Sequence, residues 1–182
     1  YINAKKKITV FYENLIKNPK STGWDLTLND LYRSREIDFE LTGAYNDLIK
    51  VFIELYDFSE AKKYEEKLEK LCTHLSASSP YCKYIAETKL NLLIASKGDV
   101  KEGEILFKEI ESEYEEVIKL KIGNAKIRMR YDQLFWKQKF YHYADKTVPG
   151  NKEYAKELCA AWKGISNLIS DGVIPIVIGG GQ

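Results

Sequence analysis

Two stretches of this chain, "LYDFSEAKKYEEKL" (55–68) and "SKGDVKEGEILFKEI" (96–110), place the same events in the same order. Sliding one onto the other by 42 positions sets Asp57 on Asp99, Phe58 on Val100, Glu60 on Glu102 and Ala61 on Gly103. Leu48 and Phe52 fall on Leu90 and Ile94 at the same offset. An aspartate ahead of a helix accepts hydrogen bonds from the orphan N–H groups of the first turn, and a glutamate three residues on reaches back. The Ala or Gly that follows lets two helices approach closely. A poorer third copy puts Tyr131, Phe135, Tyr141 and Ala144 in the corresponding places. A capped, small-residue elbow returning at this period marks stacked helical hairpins, each burying its apolar face against its neighbours. The expected fold is therefore all-α: antiparallel hairpins in a right-handed stack, with the third elbow at "KFYHYA".

The remainder of the chain fits that frame. Residues 2–18 carry Ile8, Phe11, Tyr12 and Leu15 on one helical stripe, stopped by Pro19. The segment from Thr27 to Tyr56 is helical in period, with Thr27 as N-cap, Asp30 at the third helical position and Gly43 as a break. Further helices are expected near 82–97, 100–119, 124–138 and 152–169, with the less regular "KFYHYADKTVPGN" before the last. The tail "DGVIPIVIGGGQ" holds the one convincing strand. The domains read as an N-terminal helix at 1–22, a repeat domain at 27–170 and an extended glycine-rich tail at 171–182.

Composition narrows the functional classes. With 45% hydrophobic and 30% charged residues the chain is globular. A net charge of +1, from 28 basic and 27 acidic residues, gives no global pull toward nucleic acid or an anionic membrane. "VIPIVI" is the longest apolar run, far too short to span a bilayer. Starting at Tyr1 without a leader pattern, the chain reads as a fragment or a processed form. Cys72, Cys82 and Cys159 are an odd count at irregular spacing, which is no disulfide framework. Cys72 and Cys82 meet only if their flanking helices are antiparallel; the expectation is ordinary reduced cysteines in a cytoplasmic protein.

The elbow residues "YDFSEA" and "GDVKEG", with "KFYHYA" as a degenerate form, resemble the "Gly-Asp-Tyr-x-x-Ala" hairpin of the tetratricopeptide family over about residues 42–145. The small residue which that family places in the first helix is Ile49, Asn91 and Asp132 here, and the period is longer. The resemblance implies that first helices line a concave groove. On this chain its polar and aromatic members are Asn46, Lys50, Lys89, Lys126, Arg130, Gln133, Trp136 and Lys137. Lys119, Lys121, Lys126, Arg128, Arg130, Lys137 and Lys139 make the third copy basic, opposed only by Asp132, whereas the preceding helix is rich in glutamate. Either the two helices neutralise each other, or Lys126, Arg130 and Lys137 hold a carboxylate or acidic peptide with Trp136 as apolar anchor.

Catalytic signatures are missing. His74 and His142 lie in separate regions, and no HExxH, paired CxxC or GxSxG occurs. Glutamates at i, i+4 spacing (Glu109 and Glu113, Glu111 and Glu115) lack the Glu-x-x-His partner of a carboxylate metal site. One stretch departs from the scaffold pattern. "ISDGVIPIVIGGGQ" (169–182) is similar to the strand and glycine loop that precede the first metal-binding histidine of arginase-type ureohydrolases, with Gln182 in the histidine's place. The expected function is a non-enzymatic protein- or peptide-binding scaffold without metal or cofactor, its partner a protein or peptide with acidic character, with no membrane partner and nucleic acid disfavoured. The alternative is a fragment of a multidomain enzyme or peptide-responsive regulator.

Overall fold

A computed structural model describes residues 1–17, 35–74, 82 and 85–170. Among these residues the protein is all-α, with seven helices and no strand. They are α1 (Ile2–Lys17), α2 (Arg35–Glu54), α3 (Phe58–His74), α4 (Ile85–Ala95), α5 (Val100–Leu120), α6 (Gly123–Thr147) and α7 (Lys152–Ser170). The strand and glycine loop at 171–182, the Thr27 cap with Asp30, the stop at Pro19 and the loop at 75–81 lie outside the described residues. Contacts divide the chain into two compact units, Tyr1–Lys97 and Gly98–Gln182. The sequence-based boundaries at 22 and 27 lie outside the described residues.

The first unit is built on α2 and α3. Leu48 and Ile49 are wholly buried and Phe52 nearly so, packed with Ala61, Tyr64, Leu68 and Leu71. Ala61 has no exposed surface at all. Asp57 accepts from the Glu60 N–H at 3.2 Å, and the Ala61 N–H closes on the Asp57 carbonyl. The expected elbow cap is present, therefore, at the start of α3. Tyr56 ahead of it takes the left-handed conformation (φ 58°), and the Asp57 N–H reaches back to Phe52 O, ending α2. Gly43 does not break α2: the helix runs through it, with Leu41, Thr42, Ala44 and Tyr45 all buried around it.

α1 belongs to this unit rather than standing alone. Its Lys6 faces Glu60 and its Glu13 faces Lys67, seven residues further along both helices, so α1 and α3 run parallel. Glu13 also accepts from Tyr45 Oη at 2.7 Å, and Lys5 pairs with Asp47 at 2.8 Å. Burial works to raise the Glu13 and Asp47 pKa values, but the lysine and tyrosine donors outweigh it and hold both below the usual range. Behind α3, Cys72 and Cys82 are joined in a disulfide, with Cα atoms 5.2 Å apart. This corrects the expectation of a reduced pair. Spacing alone could not show it, because the bridge depends on how the ends of the 75–81 segment are brought together.

The second unit is α5, α6 and α7. Asp99 caps α5 through the Lys101 and Glu102 N–H groups, at 2.7 and 3.1 Å, as the repeat pattern requires. Gly103 is buried one turn into the helix. The third elbow is not at "KFYHYA": α6 continues as helix through Ala144 to Thr147. The register that places Asp57 and Asp99 at the caps brings Phe140 to the same position, and a phenyl ring cannot accept an N–H bond. The turn comes after Val148-Pro149-Gly150, where Asn151 Oδ1 accepts from the Glu153 and Tyr154 N–H groups. Gly150 sits at φ 85°, a conformation that glycine adopts freely.

Candidate functional site

The eight residues placed on a groove by sequence fall in both units, and each set is described where it sits. In the first unit Asn46 is buried and its side-chain carbonyl accepts from Thr88 Oγ1 at 3.0 Å. Lys89 bonds Glu69 and lies 3.9 Å from Glu65. Glu65 is 1% exposed, with its other oxygen on Lys62 Nζ at 2.5 Å. Asn46 and Lys89 thus fasten α4 to α2 and α3, while Lys50 remains exposed. The Lys62 and Lys89 ammonium groups thus flank the buried Glu65 side chain from two sides. Helical spacing marks Glu65 as the buried one, four residues after Ala61 and three before Leu68, whereas Glu66 and Glu69 fall on the solvated face.

The second unit gathers the remaining five on α6. Lys126, Arg130, Gln133 and Lys137 follow one another by four, three and four residues and share one stripe. Trp136 lies about a quarter turn to the side. The C-terminal half of this helix is the packed half. Phe140, with no exposed surface, stacks on Phe107 of α5 at 5.2 Å, and Tyr141 touches both Phe107 and Tyr154. Lys137 reaches Glu157 of α7 at 2.5 Å, and the pair holds the Glu157 carboxyl below its usual pKa. Gly164 of α7 admits Leu134: a Cβ there would stand 2.9 Å from a leucine methyl.

Electrostatics change along the helix. Around Tyr141 stand Glu157, Glu111, Glu104 and Glu153, and burial together with these carboxylates pushes the phenol up to about 12. Lys137 therefore stands at an acidic end, already paired. At the other end Lys126 and Arg130 form no ion pair among the described residues. Arg128 is close enough to Asp132 to offset part of the upward push that burial gives that carboxyl. Trp136 is half-buried, with the Lys139 ammonium 4.9 Å over its ring and Phe135 edge-on beside it. The acidic collar around Tyr141 is what sequence reading missed; alternation of Glu with apolar residues on α5 was the available signal.

Among the described residues no group of three histidines, cysteines or carboxylates is arranged to hold a metal ion, and no helix is long and apolar enough to cross a membrane. No protein-family model, curated protein or solved structure matches the chain.

Proposed function

We propose that the chain is a non-enzymatic scaffold of tetratricopeptide-like helical hairpins that binds an acidic or carboxylate-bearing protein segment along the N-terminal half of α6. One observation carries the reading: Lys126 and Arg130 share a stripe, lack ion partners among the described residues, and lie on the same helix as a half-buried Trp136. Charged hydrogen bonds to a carboxylate gain strength when an aromatic surface beside them excludes water. Lys137 is assigned to the α6–α7 contact instead of the ligand, and Asn46 and Lys89 to the packing of α4. The two capped elbows at Asp57 and Asp99 support the hairpin-repeat part of the reading. The Cys72–Cys82 bridge favours an oxidising compartment over the cytoplasm expected from sequence.

An array of acidic peptides probed with the wild-type chain, Arg130→Glu and Trp136→Ala tests it. Arg130→Glu is expected to weaken the best peptides by about tenfold or more, on the scale of a lost charged hydrogen bond, with helicity unchanged. Equal affinity in wild type and Arg130→Glu refutes the groove.

A further inference from the structure

The turn between α5 and α6 carries the two most exposed large aliphatic side chains of the described residues, Leu120 at 83% and Ile122 at 88%. They alternate with Lys119 and Lys121, both exposed and both without an ion pair among the described residues. From Lys119 to Arg130 the chain reads "KLKIGNAKIRMR", five cations and no acid. The nearest carboxylates in sequence are Glu115 and Glu116, a turn back on α5, and Asp132, beyond Arg130. Ile122 precedes α6 with no side-chain cap, and the first turn of α6 holds no acidic residue, so the positive end of its dipole adds to the same field.

Shape decides between occupants of this chemistry. A Cβ built on Gly123 meets nothing within 4 Å, and residues 119 to 125 are all exposed, so the turn is a convex tip without a wall. A peptide laid on a convex tip leaves Leu120 and Ile122 largely wet. A lipid interface receives protruding aliphatic groups among its acyl chains while lysines stay at the headgroups. We propose that the α5–α6 tip docks peripherally on an anionic phospholipid surface, Leu120 and Ile122 inserting and Lys119 and Lys121 meeting phosphate and carboxylate headgroups. The near-zero net charge of the whole chain conceals this local excess. The docking is independent of the acidic-segment groove.

Co-sedimentation of the full chain with phosphatidylcholine vesicles, and with the same vesicles containing phosphatidylserine, tests the proposal. Binding is expected only with phosphatidylserine, weakening as salt rises. Leu120→Ser with Ile122→Ser, at positions too exposed to matter for folding, should reduce partitioning more than tenfold. Lys119→Glu with Lys121→Glu should reduce it by at least that, since each cation near an anionic leaflet is worth about fivefold. Lys101→Glu with Lys108→Glu, the same charge change elsewhere on α5, should leave most of the binding intact, and so should Trp136→Ala. Failure of the wild type to sediment with phosphatidylserine vesicles overturns the proposal. So does equal binding by the tip variants and wild type. Capture of polyglutamate through the tip residues, without vesicle binding, overturns it in favour of a protein partner.

Discussion

The two units use helices of similar character in different ways. In the first, polar side chains pair across helices: Asn46 with Thr88, Tyr45 and Lys67 with Glu13, Lys5 with Asp47. In the second, only Ala161 and Ile165 of α7 are buried, although the helix is strongly amphipathic, and α6 buries only Phe140, Tyr143 and Ala144. The N-terminal half of α6 is only partly covered and carries Lys126, Arg128 and Arg130. A helix whose cations are all paired is part of the packing. One with a run of unpaired cations on one stripe, as Lys126 and Arg130 are, has charge left for a ligand.

Because α6 and α7 hold on to α5 through few buried side chains of their own, removing one should hurt most. Phe140→Ala deletes a ring with no exposed surface and should destabilise by about 3–5 kcal/mol, with loss of protection concentrated in α5–α7 by hydrogen exchange. A cost under about 1 kcal/mol would mean the Phe107–Phe140 stack does not hold this unit together. For the first unit the corresponding lever is covalent. Reducing Cys72–Cys82, ten residues apart in sequence, should cost about 2–3 kcal/mol in thermal unfolding and lower protection in α3 and α4 but not in α6. Equal effects on both units would erase the contrast.

Acid provides a smaller and graded test. The Glu13 and Asp47 carboxyls have folded pKa values below their unfolded ones. Their stabilisation is complete above the unfolded pKa values, near 4, and is lost as pH falls through the lower folded values. Chemical denaturation followed between pH 5 and 2 should show first-unit stability falling with pH, and Glu13→Gln should flatten the slope. An unchanged slope in that variant would remove Glu13 from the account. The smallest effect concerns Tyr56 and Lys97, both left-handed at φ 58° and 56°. Tyr56→Gly and Lys97→Gly should each stabilise by at most about 1 kcal/mol, the relief of strain being partly offset by glycine's larger entropy in the unfolded chain. Destabilisation instead would show that the side chains contribute contacts.

What sequence revealed follows the same physical line. Helices were legible because apolar residues recur at helical spacing, and two elbows because Asp57 and Asp99 are caps that announce themselves. The third elbow was misplaced because Tyr131, Phe135, Tyr141 and Ala144 match the apolar spacing, and spacing persists along a helix that has not yet ended. The true stop needed Gly150 and Asn151, which read only as irregularity. At the site, Lys126 and Arg130 were legible as cations. That Lys137 is engaged by Glu157, and Asn46 by Thr88, depends on which helix covers which stripe, a fact carried by tertiary packing alone.

The double ionic contact between α1 and α3 has one more consequence. Sliding α1 by about a turn toward the C-terminal end of α3 would set Lys6 against Lys63 and draw Glu13 away from Tyr45. Lys70 would then stand opposite Glu13, so the Tyr45 bond rather than the ion pairs keys the N-terminal helix, and a version of the chain shortened by α1 would expose Glu60, Lys67, Tyr45 and Asp47 together as a ready-made socket.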